Sequence, residues 1–183
     1  MVRQTTTPTM SAAACDAHAF RSAMGRFPTG VSLLTQGSGE TTVVITLNSL
    51  ISVSLDPLLL LVSVKAAGRI RPRVAAAGSF AVNVLGSQHR PLAVEFSRAD
   101  RCHGHEAMLR MGAVEGVTGN AVIPSSEMYV ECELADLHEA GDHTLLVGRA
   151  VAVCTGDIEP DPLVFHQGRF ATFPAAARRR AAA

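Results

Sequence analysis

Residues Met128–Cys154, which read MYVECELADLHEAGDHTLLVGRAVAVC, contain the pattern that decides the fold of this chain. Two long runs rich in Val, Leu and Ala, 128–138 and 143–154, flank the turn-forming segment Ala140-Gly141-Asp142. Apolar runs on both sides of a short glycine-containing segment are typical of a β-hairpin. The pattern predicts that these two strands form the longest hairpin of an antiparallel β protein.

Shorter segments of the same kind stand elsewhere in the chain, and predicted strands lie at 31–35, 41–46, 51–55, 58–64, 80–85 and 163–166. Segment 51–55 alternates apolar residues with Ser, which is typical of a strand with one buried face. The last segment is expected to close a barrel. Because most connections are too short for parallel crossovers, an antiparallel closed sheet is favoured over a Rossmann-type layer.

Three helices are predicted, at 16–27, 70–77 and 89–98. Asp16 is a good N-cap for the first, and Gly78 is a suitable residue to end the second. The segment 100–119 is rich in Gly, His and charge and has little periodicity. We expect it to form a long excursion that lies over a functional site.

A chain of 183 residues can bury one sizeable core, so one domain is expected at 16–173. Residues 1–15 are expected to be a flexible N-terminus, and 174–183 a disordered tail. The 16 basic and 16 acidic residues balance, so nucleic acids and anionic membranes are not expected as partners. The absence of a long apolar run predicts no transmembrane helix and no secretory signal, and hence a cytoplasmic location.

The four cysteines, at positions 15, 102, 132 and 154, show no CxxC spacing. Free thiols are therefore expected, with Cys132 and Cys154 buried in strands. Cys102, His103 and His105 invite a metal interpretation, but no second ligand pair accompanies them and no metal site is predicted. A nucleophile pair such as Cys132 with His143 would need a third, orienting group that the sequence does not show.

The segment Thr46–Pro57, TLNSLISVSLDP, combines hydroxyl and amide side chains with apolar residues. An isoalloxazine ring needs this combination, because backbone amides and short polar side chains bind its edge while apolar groups cover its face. A strand with solvent-facing serines is the alternative interpretation. Because the sequence has neither GxGxxG nor GxxxxGK[ST], a nucleotide phosphate must be bound by other means.

Several segments together carry a family resemblance: FRSAMGRFPTGV at 20–31, the Thr46–Pro57 segment, GSFAVNVL at 78–85, and AGDHT at 140–144 followed by Val147-Gly148. They occur in one order across residues 16–173. The chain resembles the flavin reductase-like, FMN-binding split-barrel family, the reductase components of two-component flavin-dependent monooxygenases.

This resemblance implies a mainly β fold, a six-stranded antiparallel Greek-key split β-barrel with a few flanking helices. It also implies a homodimer with flavin near the subunit interface. The implied reaction is hydride transfer from nicotinamide C4 of NADH or NADPH to N5 of FAD or FMN. Reduced flavin would then pass, by diffusion, to a partner flavin-dependent monooxygenase. A non-catalytic flavin-binding barrel, acting as carrier or sensor, and an oxidase of another substrate are the alternatives.

The resemblance also implies a set of cofactor-binding residues: Thr29, Thr46, Leu47, Asn48, Ser49, Ser52, Val53, Ser54, Leu55, Ala66, Gly68, Arg69, Phe96, Arg101, Asp142, Arg169 and Phe170. Segment 46–55 would cradle the ring and ribityl chain. The turn 65–70 would lie near the phosphate, where a guanidinium fork is well suited. A solvated residue at a helix start is the alternative for Arg69, and a solvated loop is the alternative for Arg101.

His143 is the predicted catalytic residue, because the family's GDH turn lies where nicotinamide stacks on flavin. We expect it to orient the nicotinamide or to form a hydrogen bond with it, since hydride transfer needs no protein nucleophile. Arg169 and Phe170 are expected to border the nicotinamide. The sequence departs from the family at Ala66-Ala67-Gly68, where Ser or Thr is common, and at Pro57-Leu58, where two prolines are common.

Overall fold

The computed structural model describes residues 15–156 and 159–173, and it is mainly β. The strands are β1 (Thr29–Gly30), β2 (Ser32–Gln36), β3 (Val43–Leu47), β4 (Ile51–Leu55), β5 (Leu58–Lys65), β6 (Ser79–Val84), β7 (Val114–Glu115), β8 (Ala121–Val122), β9 (Met128–Ala140), β10 (His143–Thr155), β11 (Val164–His166) and β12 (Arg169–Ala171). The helices are α1 (Ala17–Met24), α2 (Ile70–Ala77), α3 (Arg90–Ser97) and α4 (Gly104–Met111). The predicted tail and nearly all of the predicted flexible N-terminus lie outside the described residues.

The main sheet has seven antiparallel strands in the order β3-β2-β6-β9-β10-β5-β4. Its longest hairpin is β9–β10, with 13 residues in each strand, as predicted. The predicted strands at 31–35 and 41–46 form the hairpin β2–β3, and those at 51–55 and 58–64 are β4 and β5, which the structure pairs with each other. The β9–β10 pairing shifts register between Val147 and Gly148, and Gly148 allows the close approach of a ring: a Cβ there would lie 2.6 Å from Phe80 Cζ.

The sheet curls so that its two edges approach each other. β3 and β4 occupy opposite edges, yet only residues 48–50 connect them. Four Cα steps span at most about 14 Å, so the end of β3 must lie near the start of β4. Ser49, at the centre of this corner, also bonds to Ser63 of β5. The concave face therefore encloses one apolar core, which contains Leu34, Leu47, Val62, Phe80, Val82 and Leu146.

A second apolar core lies on the outer face of the sheet, under α3 and α4. It contains Leu33, Leu85, Phe96, Ala107 and Ile123. Leu33 and its neighbour Leu34 belong to different cores because successive strand residues point to opposite faces. The two cores fix α3 and the segment after it beside β3.

The predicted count of six strands in one barrel is wrong for this chain. Besides the seven-stranded sheet, the structure has a three-stranded sheet, β1-β11-β12, and the small hairpin β7–β8. The expectation that 163–166 closes the barrel is also wrong, because β11 pairs with β1 and β12. The bonds Ser87 N to Asp161 O and Leu163 N to Leu85 O attach this segment beyond the end of β6, away from the sheet edges.

The helix predictions are largely confirmed, with one change of boundary. Asp16 caps α1 by accepting a bond from the Ala19 N–H at 2.7 Å. However, α1 ends at Met24 and not at Phe27, because Gly25 forms its C-cap, and none of its residues is buried. α2 ends at Gly78, which has φ of 68°, as predicted. α3 fills the predicted helix at 89–98.

The segment 100–119, whose conformation the sequence does not indicate, contains α4 and β7. Ala107 and Met111 lie one turn apart on the buried face of α4, and Gly112, with φ of 58°, ends the helix. β7 then pairs with β8. The helical spacing of its apolar residues determines the structure of this segment in spite of its high Gly and His content.

Two burial predictions are also wrong in the single chain. Ile51, Val53 and Leu55 of β4 are 56%, 53% and 84% exposed, because β4 is an edge strand and none of the described residues covers these side chains. Cys154, near the end of β10, is exposed. All four cysteines are free, as predicted, and Cys132 is buried. No helix in the described part of the chain is long and apolar enough to cross a membrane.

Candidate functional site

A cavity of about 330 Å³ opens where the 48–50 corner meets the end of β5 and the tip of β10. Nine residues that the sequence singled out line it: Thr46, Leu47, Asn48, Ser49, Gly68, Arg69, Phe96, Arg101 and His143. Six further lining residues were not predicted: Ile45, Ser63, Val64, Lys65, Ile70 and Ser97. The structure thus brings together residues that are separated by up to about a hundred positions in the chain.

The polar side chains of the corner are held mainly by internal hydrogen bonds. The Ser49 hydroxyl donates to Ser63 O at 3.0 Å and accepts from the Ser63 N–H at 2.9 Å. The Thr46 hydroxyl donates to Ala93 O of α3 at 2.8 Å. The Asn48 amide donates to the Thr29 hydroxyl at 3.1 Å, which joins the corner to β1. These bonds fix the backbone of the corner, whose remaining polar groups face the cavity.

Apolar side chains form a wall beside this corner. Leu47 and Ile70 are buried members of the inner core, and Phe96 of α3 is fully buried in the outer core. Ile45, two residues before Leu47 on β3, is partly buried against the inner core. The period of two along a strand is the signal that could have identified Ile45. A rigid apolar wall next to fixed polar groups is suited to a flat aromatic ligand.

Two guanidinium groups stand at one end of the cavity. Arg69, at the N-cap of α2, donates to Ala99 O at 3.3 Å. Arg101 donates to Val44 O at 2.9 Å and to Arg98 O at 2.6 Å. Burial, together with the nearby positive charge of Arg69, lowers the pKa of Arg101. Among the described residues no acidic side chain lines the cavity, so this end attracts anions.

His143 stands at the other end, on the first position of β10. It pairs across the sheet with Lys65, and its Nδ1 lies 2.8 Å from Asp142 Oδ1. This hydrogen bond, and then the charge of the imidazole, lowers the pKa of Asp142. The Ala66 N–H donates to Asp142 O at 3.0 Å, which ties the 65–69 turn to the β9–β10 turn. The imidazole is therefore oriented while one third of its surface stays open.

The other predicted site residues lie outside the cavity in the single chain. Thr29 adjoins it through Asn48, and Ala66 and Asp142 adjoin it through the turn. Ser52, Val53, Ser54 and Leu55 lie on the exposed edge strand β4. Arg169 and Phe170 belong to β12, where the Phe170 ring packs edge-on against Phe165 with centroids 5.5 Å apart.

A planar, uncharged ring with an anionic tail matches this site. The ring would lie between the apolar wall and the corner, and the tail would reach the two arginines. The volume is near the lower end of the range for small-molecule sites, which suits a ligand that is only partly enclosed. No group of three or more His, Cys, Asp or Glu in the described residues is arranged to hold a metal ion.

Comparison with known proteins gives a consistent picture. Residues 24–174 match the family model described as flavin reductase like domain. The chain is 42% identical over 153 residues to the NADH-dependent FMN reductase AsuE2 of Streptomyces nodosus subsp. asukaensis, covering 84% of this chain and 83% of AsuE2.

Two solved structures share the fold. BorF, the flavin reductase component of a bacterial two-component tryptophan halogenase, has a TM-score of 0.81 and 33% identity, covering 87% of this chain and 99% of BorF. The NADH:FAD oxidoreductase SgcE6 of Streptomyces globisporus C-1027 has a TM-score of 0.81 and 31% identity, covering 92% of this chain and 99% of SgcE6. The chain therefore belongs to the flavin reductase like domain family.

Proposed function

We propose that this protein is an NAD(P)H-dependent flavin reductase, an oxidoreductase that releases reduced FAD or FMN to a partner flavin-dependent monooxygenase. The observation that carries the proposal is the lining of one cavity, which combines an apolar wall and a fixed polar corner with Arg69, Arg101 and His143. AsuE2, which is 42% identical, is named as an NADH-dependent FMN reductase. BorF belongs to a two-component system, which supports a separate protein as the acceptor of reduced flavin.

The residues of the cavity have distinct roles in this proposal. Ile45, Leu47 and Phe96 cover one face of the ring. Backbone amides of residues 46–49 bind its polar edge, and Arg69 and Arg101 bind the phosphate. The flavin supplies N5, which accepts the hydride from nicotinamide C4. The protein contributes orientation and the exclusion of water, since the step needs no protein nucleophile.

His143 is the residue that we assign to the nicotinamide. Its Nδ1 is engaged by Asp142, so Nε2 remains to form a hydrogen bond with the nicotinamide carboxamide. Lys65, the cross-strand neighbour, adds positive charge at the same end of the cavity. Arg169 and Phe170, in the separate three-stranded sheet, would border the nicotinamide from that sheet.

We also propose a cytoplasmic homodimer whose contact includes β4. Its outer backbone edge pairs with no strand among residues 15–156 and 159–173, and Ile51, Val53, Leu55 and Leu58 are all more than half exposed. Exposed apolar edge strands are otherwise a liability for aggregation. A second copy covering β4 would also bring Ser52, Val53, Ser54 and Leu55 near a flavin.

Steady-state turnover tests the function. The purified protein should oxidise NADH or NADPH in air only when FMN or FAD is added, and without oxygen the flavin absorbance should bleach. Protein without flavin is the control. If the protein binds flavin but leaves the nicotinamide unoxidised, the non-catalytic carrier or sensor is the correct function.

Sedimentation tests the dimer. Val53→Asp should convert a dimer into a monomer and weaken flavin binding, because a charge would be buried in the contact. Val117→Asp, at a still more exposed valine outside β4, is the control and should leave the dimer intact. A wild-type monomer at micromolar concentration contradicts this part of the proposal.

A further inference from the structure

A second cavity continues the first beyond Arg69 and Arg101. It measures about 230 Å³ and is lined by Val43, Val44, Arg69, Arg73, Arg101, Cys102 and His103. Both arginines line the two cavities, so they stand at the boundary between them. The first cavity contacts residues 45–47 of β3, whereas the second contacts residues 43 and 44. Together they form one channel along β3, from His143 at one end to Arg73 and His103 at the other.

The second cavity is strongly basic, and its charges are not compensated. Arg73 Nε donates to Gln36 Oε1 at 3.1 Å, and Nη2 donates to Thr41 O at 2.7 Å. These uncharged acceptors fix the guanidinium without neutralising it. Arg69 and Arg101 also donate to carbonyl oxygens. No acidic side chain is among the described residues that line this cavity, so three fixed guanidinium groups and one imidazole face it together.

The position of this cavity limits what can occupy it. In the proposed function the flavin ring lies beside Asn48 and its first phosphate meets Arg69 and Arg101. A monophosphate would end there. An anion in the second cavity must therefore be attached beyond that phosphate. A nicotinamide dinucleotide would approach from the His143 end, which is the opposite end of the channel.

We propose that the second cavity binds the second phosphate of FAD, and that Arg73 makes this chain prefer FAD to FMN. This inference rests on the proposed function, because it uses the flavin orientation given there. A guanidinium fork is the appropriate donor for a pyrophosphate, since it offers several N–H groups in one plane. FAD is expected to bind about tenfold more tightly than FMN, the effect of one additional charge-assisted hydrogen bond.

Flavin titrations of the full chain, without nicotinamide, test the proposal. The dissociation constants of riboflavin, FMN and FAD are measured by fluorescence or calorimetry for the wild type and for Arg73→Gln. The variant should raise the Kd of FAD about tenfold and bring the ratio of the FMN and FAD constants close to one. Arg71→Gln is the matched control, because it removes the same charge from the same helix. Arg71 pairs with Glu139 at 3.5 Å and lines neither cavity, so the ratio should not change.

Arg73→Gln also alters the bonds to Gln36 and Thr41, so the test includes a second measurement, on the wild type, that does not depend on the folding of this variant. The preference for FAD over FMN in the wild type should decrease as salt concentration rises, because the extra contact is ionic. His103→Gln should reduce the same preference by a smaller factor.

Three results would overturn the inference. One is equal binding of FMN and FAD by the wild type, and another is a preference for FAD that salt and Arg73→Gln leave unchanged. The third is a raised KM for NADH or NADPH in the Arg73 variant while the ratio of its FMN and FAD dissociation constants is unchanged. That result would assign the cavity to the nicotinamide dinucleotide. Failure to bind any flavin contradicts the proposed function as well, whereas equal binding of FMN and FAD contradicts only this inference.

Discussion

The hydroxyl of Ser49 forms two hydrogen bonds with a single residue, accepting from the Ser63 N–H at 2.9 Å and donating to Ser63 O at 3.0 Å. Ser49 lies in the three-residue corner between β3 and β4, and Ser63 lies on β5. These two side-chain hydrogen bonds replace a pair of backbone hydrogen bonds at the place where the two edges of the curled sheet approach each other. The corner that lines the cavity is thereby attached to the strand that carries Lys65.

Ser49→Ala should weaken flavin binding by increasing the mobility of the corner. The loss of two hydrogen bonds, one of them to a backbone N–H, should lower the free energy of unfolding by about 1–3 kcal/mol. We expect the KM for flavin to rise by about tenfold and the KM for NADH to change by less than about twofold. Steady-state kinetics and thermal unfolding measure both effects.

Ser22→Ala, in the exposed helix α1, is the control for the loss of a serine hydroxyl and should change neither quantity. Ser49→Thr keeps the hydroxyl and should restore most of the flavin affinity. If Ser49→Ala lowers stability but leaves the KM for flavin as it is in the wild type, Ser49 does not position the site.

The curled sheet shows which parts of the fold the sequence could predict. The hairpin β9–β10 was predicted because its signal is local: two apolar runs and one turn. The pairing of β11 with β1 joins residues more than a hundred positions apart, such as Thr29 and Phe165, and no local pattern encodes it. The expectation that 163–166 closes the barrel was wrong for that reason. α4 was not predicted because Gly104 and His105 are not typical of a helix. The helical spacing of the apolar residues Ala107 and Met111 was nevertheless present in the sequence.

The site divides in the same way. Asn48, Ser49 and His143 were found through motifs that are contiguous in the sequence. Ser63 was not predicted because it reaches the cavity through strand pairing and its bonds to Ser49. The turn 65–70 was expected near the phosphate, and the structure places its first residue, Lys65, directly opposite His143. The sequence also did not reveal that the hydroxyls of Thr46 and Ser49 are used internally, since hydrogen bonding depends on the neighbouring elements.

His143→Ala should raise the KM for the nicotinamide substrate about tenfold, the effect of one lost hydrogen bond, and leave the Kd for flavin within about twofold. Asp142→Asn should have a smaller effect, because the imidazole remains but is oriented less firmly. Hydrogen bonding to His143 lowers the pKa of Asp142, so the carboxylate stays charged as pH falls to its ordinary value near 4. Between about pH 6 and 9 the Asp142 carboxylate therefore keeps its charge, and its own titration adds no pH dependence to the effect of Asp142→Asn.

The chain offers a matched control for this pair. His138 Nε2 lies 3.1 Å from Asp136 Oδ2 on β9, outside the cavity, so His138→Ala removes an equivalent His–Asp contact. His138→Ala should leave the KM for the nicotinamide substrate and the Kd for flavin unchanged. An equal rise in the nicotinamide KM for His138→Ala and His143→Ala would show that His143 has no specific role.

Cys132 should make stability decrease at high pH. Burial raises the pKa of its thiol to about 12, whereas an unfolded cysteine ionises near 8.5. Above about pH 8.5 the unfolded chain loses this proton and the folded chain keeps it, so ionisation favours unfolding progressively up to about pH 12. Urea unfolding of the wild type and Cys132→Ala between pH 7 and 10.5 measures this, and only the wild type should show the thiol-dependent part of the decline.

Thiol labelling gives an independent check. With the other cysteines changed to Ser, a chain retaining only Cys132 should react at pH 8 only when it unfolds. A chain retaining only the exposed Cys15 should react at once. Rapid labelling of Cys132 in the folded protein would contradict its burial.

Glu131 is a buried carboxylate, 2% exposed, that stabilises the turn before β8. It accepts bonds from the Val117 and Thr118 N–H groups, at 3.1 and 2.7 Å, and from the Thr118 hydroxyl at 2.6 Å.

Glu131→Gln replaces one acceptor oxygen by an NH₂ group that faces these donors. The variant should lose about 2–4 kcal/mol of stability, because three part-buried donors then share one acceptor oxygen and charge assistance is lost. Glu133→Gln, two residues along β9 in an exposed pair with Arg149, should cost less than about 1 kcal/mol. Chemical denaturation compares the two, and equal losses would mean that the Glu131 carboxylate is not the element that holds this turn.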